Sequence, residues 1–378
     1  MDVGDGACTT IRRCACSDCR WSPVVIDCGV YRGRQANAWA ALEKELGPEL
    51  GSLDTIIITH FDADHWRGFL HLPGALEKIG RRLSALQMIY PRLPDEVPPF
   101  YMDVLALQAT LLGAGFRELD LASELQGATD HLIRHPVSQG DQFSAGGLDF
   151  LVHWPPKSLA SVTRKSIMAA VKDLEKMAVT LEEAGRPELR ENLHRVREIF
   201  PSSHQVSKGF EGWDQVPGGY QKSDLSARVR NDMAVEQRRT EDRFGQKVLK
   251  DDDPHGSVGA ALSIPPLYRD PLRKISRRLA RANNDLSLIL EEAGGLFISF
   301  GDAGQRVLRR VVPRLRHKYV AMLAPHHGTY RVPEQLPSGM ICISQNGVDH
   351  VRRWRKHLSS HGLGRTCTCT NLEGTIRI

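Results

Sequence analysis

The chain has 378 residues, of which 41% are apolar and 25% charged, and a net charge of +5. This composition is typical of a soluble globular protein and excludes wholesale disorder, a fibrous coiled coil and a disulfide-stapled miniprotein. No apolar run approaches the roughly 20 residues of a membrane helix. No signal-peptide pattern opens the sequence, so we expect a cytoplasmic protein. The length suits one large domain with an insertion, or two domains.

The first part of the chain, residues 1–154, has the pattern of a β-rich half-domain. The run Ile56-Ile57-Ile58 is apolar on both faces, as in a strand buried within a layered sheet. The predicted elements are a hairpin from Met1 to Ile26, a helix from Ala36 to Leu46, strands from Leu53 to Thr59 and from Leu86 to Tyr90, a helix from Met102 to Leu112, and a strand from Gly147 to Trp154.

The sequence pattern changes twice in the middle of the chain. Residues 155–200 predict a helical hairpin that breaks at Gly185-Arg186-Pro187. Residues 201–261 have few apolar side chains and many glycines, which favours a mobile or regulatory loop. Such a loop could cover an active-site groove or be cut by a regulatory protease, and a passive loop is the alternative.

Residues 262–378 return to short strands. We expect them from Leu286 to Glu291, Gly295 to Phe300, Tyr319 to Ala324, Met340 to Ser344 and Gly374 to Ile378. Between Ser263 and Lys318 there are twelve Lys or Arg against five Asp or Glu, a surplus of seven. Such a surplus favours a partner that bears phosphate, and a solvated helix face is the alternative.

Cysteines cluster near the start of the chain. Cys14, Cys16 and Cys19 have a spacing that suits a structural zinc site completed by one further ligand. In a cytoplasmic protein, reduced or redox-labile thiols are the alternative.

The strongest chemical signal follows the strand that ends at Thr59. His60, Asp62, Asp64 and His65 place two imidazoles and two carboxylates within six residues. Divalent metals such as zinc and manganese prefer this mixture of nitrogen and oxygen ligands. The alternative is a polar loop with two hydrogen-bonded histidines. The concentration of ligands at a strand end favours the metal site.

This segment resembles the H-x-H-x-D-H signature of the metallo-β-lactamase fold. The resemblance implies an α/β protein, an αββα sandwich whose two halves both supply ligands to a dinuclear metal site, here with a helical and mobile insertion between them. Asp62 stands where the second histidine is usual. The extra carboxylate makes the site harder and shifts its preference from zinc toward manganese.

The resemblance also implies ligands from the second half. Asp302, in Gly301-Asp302-Ala303, is the expected bridging carboxylate. In Pro325-His326-His327-Gly328, His326 is the expected ligand and His327 the residue that contacts the phosphate, although the reverse order is open. The implied cofactors are two divalent ions, Zn²⁺ or Mn²⁺.

A finer resemblance is to the ComEC-type competence metallo-domain and its stand-alone relatives. The matching motifs are Asp2-Val3-Gly4-Asp5-Gly6, Ile26-Asp27-Cys28-Gly29, Asn283-Asn284-Asp285-Leu286-Ser287-Leu288, Gly301-Asp302, Pro325-His326-His327-Gly328-Thr329 and Asn371-Leu372-Glu373-Gly374-Thr375-Ile376. The resemblance covers about residues 1–154 and 262–378. It assigns Asn284 and Ser287 to holding substrate or a ligand. That family's membrane channel is missing, so a transport role does not carry over.

These features together predict a metal-dependent nuclease or phosphodiesterase that acts on DNA. Asp64 and His327 are the predicted catalytic residues, and Arg277 and Arg278 the predicted phosphate contacts. Basic residues around Trp354 could add a base-stacking site, whereas a packed helix residue is the alternative. A DNase of this kind would suit antiphage defence. The competing functions are a small-molecule ester or phosphoester hydrolase with the same metal centre and a non-catalytic module that binds a partner protein.

Overall fold

The computed structural model describes residues 1, 5–12, 22–30, 35–92, 121–199, 266–362 and 365–377, together with residues 100, 103, 104, 106, 107 and 110. They belong to one compact unit that comprises Met1–Phe200 and Val258–Ile378. Cys14, Cys16 and Cys19, most of the predicted helix from Met102 to Leu112 and the predicted loop over 201–261 lie outside the described residues. Those expectations stay predictions.

The first sheet, as far as the chain is described, has five strands. They are β1 (Cys8–Ile11), β2 (Val24–Cys28), β3 (Thr55–Ile57), β4 (Leu83–Pro91) and β5 (Thr129–Val137). The spatial order follows the chain, β1 to β5, and only the β1–β2 pair is antiparallel. Parallel strands β2 and β3 are buried throughout, which explains why their sequences are apolar on both faces.

The second sheet has seven strands among the described residues. They are β6 (Gln142–Ala145), β7 (Leu148–Trp154), β8 (Ile289–Glu292), β9 (Phe297–Ser299), β10 (Lys318–Leu323), β11 (Ser338–Ser344) and β12 (Arg365–Cys369). Their order is β12-β11-β10-β9-β8-β7-β6. Strands β9 to β12 are parallel, and β6 to β9 are antiparallel. Both sheets are therefore mixed.

The helices of the described residues lie between the strands in chain order or, for the last one, after them. They are α1 (Gln35–Leu46), α2 (Ala63–Trp66), α3 (Leu72–Lys78), α4 (Leu121–Gln126), α5 (Ser161–Glu183), α6 (Glu188–Ile199), α7 (Pro266–Asp285), α8 (Gln305–Val311), α9 (Val348–His361) and α10 (Thr370–Glu373). Helices α5 and α6 occupy the predicted helical hairpin. None of the described helices has the length and apolar character needed to cross a bilayer.

Three apolar cores separate four layers. Along β2, Val25 faces the helices beside the first sheet, whereas Val24 and Ile26 face the second sheet, as the two-residue period of a strand requires. In the second sheet, Leu290 packs toward the first sheet, and Ile289 packs toward α8. The helix–sheet–sheet–helix order that the resemblance implied is therefore confirmed.

One predicted strand is wrong. The last strand runs over Arg365–Cys369 rather than from Gly374 to Ile378. The chain turns into α10 after Cys369 and reverses at Gly374, whose φ of 70° is left-handed. The alternation Thr366-Cys367-Thr368-Cys369 is itself typical of a strand with a buried and a solvated face. The sequence interpretation also omitted β5 and β6.

Candidate metal centre

The predicted ligands gather where strands of both sheets end. His60 follows β3, and Asp64 and His65 lie on the short helix α2. Asp302 follows β9, and His327 follows β10. Because the carboxyl ends of parallel strands share one edge of a sheet, three sequence-distant strands deliver these side chains to one place.

Two histidines and two aspartates form the buried middle of the cluster. The Nε2 atoms of His65 and His327 lie 3.3 Å apart. His327 Nε2 is also 3.3 Å from Asp64 Oδ2, and His65 Nε2 is 3.4 Å from Asp302 Oδ1. All four residues are at most 8% exposed. Imidazole and carboxylate groups whose donor atoms converge in this way can bind one cation together.

His60 and Asp62 extend the cluster on one side. His60 is fully buried, and its Nε2 lies 3.5 Å from Asp62 Oδ2 and 3.9 Å from Asp302 Oδ2. The other oxygen of Asp62 accepts a hydrogen bond of 2.7 Å from the Asn283 amide on α7. Asn283 therefore anchors the end of α7 against the metal centre.

His326 lies on the solvent side of the cluster. Its Nδ1 is 2.6 Å from Asp302 Oδ2, and its side chain is 25% exposed, against 3% for His327. His327 Nδ1 is 2.7 Å from the carbonyl oxygen of Gln345 and donates to it, so Nε2 is the nitrogen that faces Asp64. His327 is therefore the deeper of the two imidazoles and His326 the more exposed one, and both are candidate ligands.

The histidine pair occupies unusual backbone. His326 and His327 have φ values of 52° and 55°, and Gly328 follows at 72°. Left-handed conformations cost about 1–3 kcal/mol at a non-glycine residue, so the surroundings must hold them. His326 N–H donates to the Gly301 carbonyl at 2.9 Å, and the Asn346 amide donates to the His327 carbonyl at 3.2 Å. The turn aims both imidazoles at Asp302.

Asp27 supports the cluster from β2. Its Oδ2 accepts hydrogen bonds from His65 Nδ1 at 2.9 Å and from Thr59 Oγ1 at 2.8 Å, and its Oδ1 accepts one from Thr59 N–H at 2.8 Å. A carboxylate on one imidazole nitrogen fixes the tautomer and leaves the other nitrogen free to bind a metal. The sequence interpretation quoted Asp27 within a motif but gave it no role.

The charges of the cluster depend strongly on one another. Burial alone would lower the pKa of His65, but Asp27, Asp302 and Asp64 outweigh it and raise the pKa to about 10. Burial likewise opposes the carboxylates around His327, which raise its pKa to about 9. Burial raises the pKa of Asp64 and Asp302, yet the surrounding imidazoles hold both well below their usual range. The cluster therefore stabilises positive charge at its centre.

The donor atoms fit a divalent metal. His60 Nε2 is buried and has no hydrogen-bond partner among the described residues, which is costly unless another group binds it. Three sets of donors, each within 4.8 Å, occur in the described part of the chain: His60, His65 and Asp302; Asp64, His65 and His327; Asp302, His326 and His327. Imidazole nitrogen and carboxylate oxygen are ligands for zinc and manganese.

The other predicted residues lie around the cluster. Ser287 Oγ accepts a 3.0 Å hydrogen bond from the backbone N–H of Asp302, so Ser287 positions that carboxylate. Asn284 is partly buried beside Asn283. On the exposed face of α7, Arg278 pairs with Asp173 of α5, and Arg277 lies next to it.

Trp354 does not have the role suggested as one option from the sequence. It is 4% exposed on α9 and packs against Gly328, where a Cβ atom would meet its Cδ1 at 2.7 Å. A ring buried in this way cannot stack on a base, so the alternative of a packed helix residue is the correct one.

Comparison with known proteins finds one family model that matches the first half of the chain. Residues 22–157 match the family model of the metallo-beta-lactamase superfamily. This part of the chain is similar to metallo-β-lactamase domains. Proteins with this domain are hydrolases that use divalent metals, so the domain and the histidine–aspartate cluster together indicate a metal-dependent hydrolase.

Solved structures similar to this protein include two β-lactamases. BJP-1, a subclass B3 metallo-β-lactamase of Bradyrhizobium japonicum, is 12% identical, with a TM-score of 0.22, over 50% of this chain and 86% of its own. A β-lactamase from Chitinophaga pinensis is 13% identical, with a TM-score of 0.19, over 60% of this chain and 84% of its own. Likeness of this degree does not extend to substrate. A search of curated proteins by sequence gives no match.

Proposed function

We propose that the protein is a metal-dependent nuclease that hydrolyses phosphodiester bonds of DNA. The observation that carries the proposal is the buried cluster of His60, Asp64, His65, Asp302 and His327, which sets nitrogen and oxygen donors around a common centre. Two divalent ions, when bound, would supply hydroxide near neutral pH and neutralise charge on the phosphate. Hydrolysis adds water across one P–O bond and leaves a phosphomonoester and an alcohol.

The side chains of the cluster have different proposed roles. Asp302 reaches both sides of the cluster, because its Oδ1 faces His65 and its Oδ2 faces His326. Asp64 and His327 hold the deeper side, 3.3 Å apart. His326 is the more exposed imidazole, so we assign it the contact with substrate, whereas the sequence interpretation gave that contact to His327.

The substrate class is supported by a row of arginines on α7. Arg269, Arg273, Arg277 and Arg281 recur every fourth residue, at least partly exposed, and α7 ends at the centre through Asn283. Residues four apart on a helix are spaced about 6 Å along its axis. A row of cations that leads to the cluster suits the phosphates of a nucleic-acid backbone, and predicts affinity that falls steeply with salt.

The test is a cleavage assay on plasmid, linear and single-stranded DNA with added Mn²⁺ or Zn²⁺. Wild type is compared with Asp64→Ala and with Asp149→Asn, which alters an exposed carboxylate on β7 that bonds Ser144. We expect cleavage that chelator abolishes, that Asp64→Ala reduces at least about 100-fold and that Asp149→Asn preserves.

Two outcomes would contradict the proposal. If no metal-loaded sample cuts DNA while small esters or phosphoesters are hydrolysed, the substrate is a small molecule. If Asp64→Ala retains both metal and cleavage, the cluster is not the active site. The expected role in antiphage defence stays a prediction from the sequence.

A further inference from the structure

An exposed aromatic ring lies beside the metal centre. Tyr330 stacks on His326 with ring centroids 4.4 Å apart and planes 13° from parallel. Tyr330 is nevertheless 55% exposed. One face of the ring is covered by the imidazole, and the large exposed fraction indicates that the other face is open. Among the exposed large apolar side chains of the described residues, Tyr330 is the only aromatic one.

The segment that carries Tyr330 is fixed on both sides. The Tyr330 carbonyl accepts a 2.8 Å hydrogen bond from Nε2 of His361, a fully buried residue at the end of α9. Before it, Thr329 donates from both Oγ1 and N–H to the His326 carbonyl, at 2.7 and 2.9 Å. After it, Val332 N–H donates to Ser360 Oγ at 3.3 Å. The position of the ring is thus set in advance, which lowers the entropy cost of binding.

The ring is linked to the reacting centre through a single residue. Tyr330 stacks on His326, and His326 Nδ1 lies 2.6 Å from Asp302 Oδ2. A planar group on the open face of Tyr330 would therefore extend the stack outward from the centre. Nucleobases stack on exposed aromatic side chains because every base has a π face.

We propose that Tyr330 is the stacking platform for the nucleobase next to the scissile phosphodiester, and that the substrate is therefore single-stranded or has an unpaired base at the cut. The proposal rests on the proposed nuclease function and adds the substrate's form to it. A base inside a duplex has both faces occupied by its neighbours, so it must leave the stack to contact Tyr330.

The test compares two single-stranded polyanions, an oligothymidylate and an abasic strand of equal length. Both carry the same phosphates, so the ratio of their kcat/KM values isolates the contribution of the bases. We expect wild type to prefer the thymidylate about 5- to 150-fold. Tyr330→Phe should keep the preference, and Tyr330→Leu, which retains apolar bulk without a π face, should lose it.

The ratio of the two kcat/KM values distinguishes a stacking role of Tyr330 from a role that only supports His326. If Tyr330 only braced His326, both substrates would suffer equally in Tyr330→Leu and the ratio would stay constant. Metal content, measured in every variant, detects a displaced ligand directly. A wild-type ratio near one, or an unchanged ratio in Tyr330→Leu, would overturn the stacking proposal.

A binding measurement keeps the two proposals distinguishable. A strand containing 2-aminopurine is titrated with protein in chelator, where cleavage is stopped, and its fluorescence should be quenched by wild type and Tyr330→Phe but not by Tyr330→Leu. Quenching without cleavage in the presence of any of the metals would support the stacking proposal and contradict the proposed nuclease function. Cleavage without quenching would support the nuclease function and contradict the stacking proposal. If neither quenching nor cleavage occurs, both proposals are contradicted.

Discussion

Replacing Asp27 by asparagine tests whether β2 tunes the metal centre. Asp27 accepts three hydrogen bonds, from Thr59 N–H, Thr59 Oγ1 and His65 Nδ1, and is 4% exposed. Its φ of 54° is left-handed, a conformation that asparagine tolerates far better than most residues. Asp27→Asn therefore removes the charge without forcing the backbone to move, whereas alanine would mix the two effects.

The expected effect can be worked from the geometry. If the amide oxygen accepts from Thr59 N–H, the amide NH₂ faces His65 Nδ1. His65 must then accept at Nδ1 and carry its proton on Nε2, the atom that faces Asp64 and His327. Loss of one charge-assisted hydrogen bond is worth about 1.5–3 kcal/mol. We therefore expect metal affinity to fall about 10- to 100-fold, the usual effect of losing such a partner.

The assay is competition for Zn²⁺ and Mn²⁺ against a chromogenic chelator. Asp149→Asn is the matched control, because Asp149 also accepts a side-chain hydrogen bond but lies exposed on β7. Excess metal should restore much of the activity of Asp27→Asn. Unchanged affinity, or an equal loss in Asp149→Asn, would refute the link between Asp27 and the metal-binding tautomer of His65.

Two further predictions concern the backbone turn and the second sheet. Gly328→Ala should destabilise the fold by about 1–3 kcal/mol and lower metal content, because φ is 72° and a Cβ would lie 2.3 Å from Ser344 Oγ. Urea unfolding and metal analysis check this, and wild-type values for both would contradict the account of the turn. Glu291→Gln should lose stability at neutral pH but not in acid. Burial raises the pKa of Glu291, but His153, Tyr319 and Arg316 outweigh it and lower it. A carboxyl with a lowered folded pKa stabilises above its unfolded value of about 4.3, and the benefit disappears as pH falls through the folded pKa. Denaturant unfolding from pH 7 to about pH 2 should show the two proteins converging once the pH falls below about 4, and a constant gap over that range would contradict this reasoning.

The members of the histidine–aspartate cluster could be predicted from the sequence because metal-binding residue types are concentrated there. His60 to His65 place four donors in one loop, and strand ends mark Asp302 and His327. The supporting residues could not be predicted in the same way. Asp27 meets His65 across 38 positions in the chain, and Gln345 contributes only a backbone carbonyl, for which sequence carries no signal.

A strand could be predicted from the sequence where its burial gives a clear pattern of apolar residues. Strand β3 is buried on both faces and stands out as Ile56-Ile57-Ile58. Strand β5 lies at an edge of its sheet, and its mixture of exposed and half-buried residues gives no clear alternation. The boundary of β8 was placed too early, because backbone bonds from Leu286 and Ser287 to the Asn283–Asn284 carbonyls first turn the chain.

The pairing of β7 with β8 has a consequence for how this domain tolerates change. Trp154 and Ile289 are register partners on adjacent antiparallel strands, so the long connection between them starts and finishes at nearly the same point. Doubling the length of such a connection adds only about 0.6 kcal/mol of closure entropy. Insertions or deletions in this connection outside α5, α6 and α7 should therefore cost little stability and leave the metal-centre geometry in place, provided that these helices keep their core contacts and that Asn283 still bonds Asp62.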